Sequence, residues 1–141
     1  MAVVVVASVA LKWFLEEEDT SHALALWDHW QRTSEPVMAP PIFRSEVTNV
    51  LHRGVRRQIF SQADAADVLG AIISMVSIRE PSDLYDRALA LTRSLEQEAA
   101  YDALYLALAE AEGCDMWTAD RRFVRAAQDR FGSVRWIGEA P

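Results

Sequence analysis

Three carboxylates in this sequence stand among apolar residues rather than in solvated runs. Glu46 follows Phe43-Arg-Ser and precedes Val47-Thr-Asn-Val, Asp102 lies between Tyr101 and Ala103-Leu-Tyr, and Asp120 closely follows Met116-Trp-Thr. A fourth place of interest is the end of the first apolar run, Val6-Ala7-Ser8. Each acid also has an ordinary reading. Glu46 could be a solvated helix residue. Asp102 could complement a helix dipole, worth a few tenths to ~1 kcal/mol, and Asp120 could cap a helix, worth ~1 kcal/mol. Aimed at one crevice, however, carboxylates repel by ~4 kcal/mol per pair at 4 Å and an effective dielectric of ~20. A bound cation makes such a crevice reasonable, and oxygen-only ligands select Mg²⁺ or Mn²⁺.

Composition removes several alternatives. The chain has 141 residues, with 51% apolar and 25% charged, and reads as a single domain over 1–141. Its net charge of -7 argues against a wholesale polyanion binder. Cys114 is the only cysteine and the three histidines show no HExxH spacing, which excludes a disulfide, a CxxC pair and a usual zinc site. Met1 to Leu11 is apolar but far shorter than the ~18 residues of a spanning helix, and it lacks a basic leader. A cytoplasmic protein with no membrane contact is expected. A phosphoacceptor receiver domain needs a lysine late in the chain, and Lys12 is the only one.

The elements that must position these acids alternate. Ala2 to Val6 is a β-branched run without alternation, as in a strand buried on both faces. Helical patterns follow over 7–14 and 20–32, and a strand is expected at 37–39. Pro41 suits the first position of a helix that carries Glu46 to about residue 57. Ser61-Gln-Ala-Asp64 opens a helix to about Met75, followed by a short strand at 76–78 and a helix from Pro81 to about Leu95. Ala99, Ala103, Ala107 and Ala111 mark a close-packing helix over 98–112 that ends at Gly113. Strands at 116–118 and 134–137 bracket a helix over 120–129. This order predicts an α/β fold in three layers, with a mostly parallel central sheet of about five short strands flanked by helices. In such sheets chemistry collects at the carboxyl ends of the strands.

Four blocks in order resemble the PIN-domain family, in particular VapC-type toxins of toxin–antitoxin pairs: Val3 to Phe14, Ala39 to Leu51, Ala100 to Ala109, and Trp117 to Phe123. The resemblance implies a Mg²⁺- or Mn²⁺-dependent ribonuclease acting on single-stranded or structured RNA. It places the acidic cluster at Glu46, Asp102 and Asp120, as catalytic residues and metal ligands. It assigns polar residues that steady them to Ser8, Asn49 and Thr118. Arg44, Arg53, Arg121 and Arg122 could contact RNA. A small cognate antitoxin and a homodimer are the implied partners. Trp13, Trp27 and Trp30 on the first helices would serve either grip if exposed, although core packing is their ordinary role.

One departure matters. The first Asp of the family pattern falls on position 6, which here is Val6. Val cannot bind a cation. Losing even an outer partner of a metal ligand typically costs ~10–100-fold in affinity or activity, so a crippled or inactive nuclease is expected. The alternative is a catalytically dead PIN module that binds an antitoxin or RNA without cutting.

Overall fold

The computed structural model describes residues 1–139 and 141. Its sheet has five strands, all parallel: β1 (Val3–Val5), β2 (Val37–Ala39), β3 (Ser77–Ile78), β4 (Asp115–Thr118) and β5 (Val134–Trp136). Their order across the sheet is β3-β2-β1-β4-β5. The helices among the described residues are α1 (Ala7–Leu11), α2 (Thr20–Arg32), α3 (Ile42–Arg56), α4 (Gln62–Met75), α5 (Leu84–Ser94), α6 (Tyr101–Glu112) and α7 (Arg121–Ala127). The expected α/β architecture and each expected strand are present. The strand order reverses direction between β1 and β4, which makes their carboxyl ends the topological switch point.

Burial explains the pattern that announced β1. Val3, Val4 and Val5 are all buried, because helices cover both faces of the sheet. Val3 pairs with Val37 on one side and Asp115 on the other, and Val5 pairs with Trp117. Position 6 therefore leaves the sheet beside the end of β4, with its N–H donating to the Trp117 carbonyl at 3.3 Å.

Helix boundaries shift where local chemistry competes. α1 stops at Leu11 because the next residues turn: Trp13 Nε1 donates to the Ala23 carbonyl, and Lys12 Nζ pairs with Glu17 Oε2 at 3.0 Å. Pro41 is the residue before α3 rather than its first, although its φ of -54° is already helical. α6 begins at Tyr101, so Ala99 lies outside it. Ala103 and Ala107 are buried as expected, but the burial runs unbroken from Ala103 to Ala109, leaving Ala111 exposed. Gly113 ends this helix at φ +64°, a conformation that suits a residue without a side chain. Ser61 Oγ accepts the Asp64 N–H, as the sequence pattern suggests.

Candidate functional site

The acids come from three elements: Glu46 from α3, Asp102 from α6 and Asp120 from the segment between β4 and α7. Glu46 is the fifth residue of α3, next to Val47 and one turn after Phe43, both buried. Asp102 is the second residue of α6, just before that helix becomes fully buried. Asp120 follows β4 and caps α7, its Oδ1 accepting the N–H groups of Arg122 at 2.9 Å and Phe123 at 3.3 Å.

Electrostatics tie the three together. Burial, then the charges of Asp120 and Glu46, together push the Asp102 carboxyl up to about 6. Burial also raises Glu46, opposed by a hydrogen bond from Tyr105. Glu46 on α3 and Asp120 after β4 therefore both act on the half-buried Asp102 of α6.

Tyr105 is a site residue that the sequence reading did not single out. Its hydroxyl donates to Glu46 Oε1 at 2.5 Å across 59 positions of sequence. The Tyr105 oxygen itself accepts the backbone N–H of Ala7 at the start of α1. The phenol is buried, and its titration is raised by that burial, by the Glu46 charge and by the hydrogen bond to Glu46. One side chain on α6 thus links α3 to the end of β1. A signal was present: Tyr105 interrupts a run of Ala and Leu, and a buried hydroxyl must find partners.

The remaining expected positions are spread around this centre. Thr118 is buried, and its Oγ1 accepts the Asp120 N–H at 3.0 Å. Ser8 is exposed at the start of α1. Asn49 is exposed on α3 beside Arg44, Ser45, Thr48 and His52, which line a shallow groove of about 430 Å³. Arg53 lines a larger groove of about 710 Å³ between the segment after α1 and helices α3 and α4, away from the acids. Arg121 lies over the Trp136 ring and Arg122 is exposed beside Asp120. Trp13 and Trp30 are not exposed. Both are buried, Trp30 edge-on to Trp117, and Trp27 packs at 4.7 Å from Trp13, so the core claims these rings.

The donor set fits a hard cation in kind, since it is made of carboxylate oxygens. It is incomplete in arrangement. Val6 is buried at the strand end and offers no oxygen, and among the described residues no three His, Cys, Asp or Glu side chains gather closely enough to hold a metal ion.

A parallel sheet with coupled acids at its switch point defines an α/β domain with an acidic site. The chain belongs to the PIN-domain family, whose model matches residues 3–129. It is 31% identical over 127 residues to a VapC ribonuclease of Mycobacterium bovis, covering 89% of this chain and 91% of that protein. The same figures hold for ribonuclease VapC9 of Mycobacterium tuberculosis. Among solved structures, PAE2754 of Pyrobaculum aerophilum superposes with a TM-score of 0.73 at 21% identity, over 98% of this chain and 92% of that one. VapBC2 of Rickettsia felis, bound to a DNA fragment from its promoter, gives 0.69 at 13% identity, over 96% and 97%. VapC20 of Mycobacterium tuberculosis, described as a sarcin–ricin-loop-cleaving toxin, gives 0.65 at 23%, over 89% and 95%. Nucleases of this family generally depend on divalent metals. No helix among the described residues is long and apolar enough to cross a membrane.

Proposed function

We propose that this chain is a VapC-type ribonuclease toxin of a toxin–antitoxin pair, working as one domain over 1–141 and weakened at position 6. The observation that carries the reading is the convergence of charge on Asp102 from Asp120 and Glu46 at the sheet's switch point. When bound, Mg²⁺ or Mn²⁺ would offset charge on the phosphate and activate water at neutral pH. Asp102, Asp120 and Glu46 would hold it. Tyr105 orients Glu46, and Thr118 fixes the backbone at Asp120. Ser8 and Asn49 would steady the carboxylates from the exposed rim, and Arg44, Arg53, Arg121 and Arg122 would contact RNA phosphates. The partners are a small antitoxin and a second copy of the chain. Tyr85, Leu89 and Tyr101, large apolar side chains exposed on α5 and α6, support self-association. The compartment is the cytoplasm.

A second reading is a binding module that no longer cuts. It is favoured by one observation, the lack of three ligating side chains close enough for one ion among the described residues.

One assay separates them. Val6→Asp is expected to gain at least ~100-fold in cleavage of labelled single-stranded RNA, since a restored ligand should exceed the ~10–100-fold worth of an outer partner. EDTA abolishes the gain, and Asp102→Asn placed on Val6→Asp removes it again. The Val6→Asp protein also arrests growth when expressed without its antitoxin. If it leaves RNA intact with every metal yet binds an antitoxin tightly, the binding-module reading replaces the enzyme.

A further inference from the structure

Trp136 ends β5 in register with Thr118, so its ring stands at the same edge of the sheet as the acids. Gly138 fixes it there: a Cβ on Gly138 would fall 1.9 Å from Trp136 Cζ3, so a larger residue would displace the ring. His22 from α2 stands beside it, with centroids 5.9 Å apart and planes tilted by 49°. Arg121 covers the ring, with Cζ 4.1 Å from its centroid.

Among the described residues three arginines lie over aromatic rings, and Arg121 differs from Arg130 and Arg135 in how its guanidinium edge is used. Arg130 donates to the Ser94 carbonyl and hydroxyl, and Arg135 pairs with Asp115 and Glu139. Arg121 makes no ion pair or hydrogen bond through its side chain among the described residues, and its contact with Trp136 is all that holds it. The neighbouring Asp120 carboxylate is engaged in capping α7. A guanidinium lying on an aromatic face is restrained in orientation, while its N–H edge stays free to donate two parallel bonds to an anion. In a chain of net charge -7, a polyanion needs a local cation not already spent on an internal carboxylate.

We propose that Arg121, held by Trp136, binds a backbone phosphate of single-stranded RNA next to the carboxylates, with Trp136 as its positioning residue. The inference rests on the ribonuclease reading and deepens it by naming a substrate contact and the ring that aims it.

The test uses the full chain, in EDTA so that nothing is cut, with a fluorescein-labelled single-stranded RNA titrated across a salt series. Arg121→Gln should weaken binding by about 3–10-fold and lower the salt slope by about 0.7, the value for one phosphate on a single strand. Trp136→Leu should give the same loss, and the double variant should lose little more. Trp136→Phe, which keeps an aromatic face, should retain most of the binding. Arg125→Gln, on the same helix but off the ring, should change affinity by less than about twofold. Equal losses for Arg121→Gln and Arg125→Gln, or additive losses for Arg121→Gln and Trp136→Leu, overturn the proposal. A parent chain that binds RNA while Arg121→Gln leaves affinity and slope unchanged overturns this inference alone. A parent that binds no RNA at the lowest salt overturns the ribonuclease reading along with it.

Discussion

The ends of β1 and β4 are neighbours in the same sheet, yet they carry opposite chemistry. Both strands are parallel and buried, and each runs directly into a short helix. At the end of β4, Asp120 has φ -85° and ψ 101°, and its side chain caps α7 with two hydrogen bonds. At the end of β1, Val6 has φ -80° and ψ 158°, also extended, and its side chain caps nothing. Val is among the poorest residues at this position and Asp among the best. The backbone at position 6 thus has the form that suits an acid, independently of any metal. What β4 gains twice from one residue, a helix cap and a charge, β1 does without.

The largest effect should come from making the two ends alike. Val6→Asp forfeits ~1.5–3 kcal/mol of apolar burial and adds a charge among three others, while gaining a cap worth ~1 kcal/mol. In chelator at low salt the variant should therefore melt below the parent, by ~1–3 kcal/mol in stability. Mn²⁺ should narrow the gap, because a ligand bound only by the folded state stabilises it. Val6→Asn makes the comparison sharper. It loses the same burial and gains the cap without the charge, so it should melt above Val6→Asp in chelator and show no response to Mn²⁺. Identical melts for Asn and Asp at both metal levels would mean that charge repulsion plays no part.

Much of this asymmetry was legible in the sequence, and the reasons are local. The Val3 to Val6 run could only be a strand covered on both faces, and alternation with helices fixed the architecture around it. Proline before α3 and glycine after α6 placed helix ends to within a residue. What stayed hidden depends on contacts between distant segments. No spacing rule joins Tyr105 to Glu46 or Arg121 to Trp136, since each pair meets only once the sheet order is known. The tryptophans of the first helices show the same limit: whether a ring lies in the core or on the surface depends on what the far end of the chain packs against it, as Trp117 does with Trp30.

A smaller effect tests the crowding of charge itself. The Asp102 carboxyl moves from an ordinary value of 3.8 to about 6 on folding, chiefly through burial, then through Asp120 and Glu46. A raised acid favours the fold while protonated. Its contribution is complete below 3.8 and is lost as pH rises through about 6. Asp102→Asn cannot lose it. In chelator, the melting temperature of Asp102→Asn relative to the parent should therefore rise between pH 4.5 and pH 7.5. A difference that stays constant across this range would show that Asp102 titrates alike in folded and unfolded chains.

The smallest effect isolates what Asp120 does as a cap from what it does as a charge. Asp120→Ala removes two hydrogen bonds to the first turn of α7, a loss of ~1 kcal/mol. It also removes a charge that opposes ionisation of Asp102. At pH 4.5 Asp102 is protonated and has little to gain from that relief, so the full cost of the lost cap should appear. At pH 7.5 Asp102 is ionised, and the relief should offset part of the cost. Asp120→Asn keeps an oxygen that can accept both N–H groups while removing the charge, so in chelator at pH 7.5 it should be at least as stable as the parent. The predicted order at that pH is Asn, then the parent, then Ala, with Ala closer to the parent than at pH 4.5. Paired melts of the three proteins at the two pH values provide the measurement. If Asn costs as much as Ala at both, the side chain of Asp120 stabilises the fold by something other than its cap, and the contrast between the two strand ends loses its physical basis.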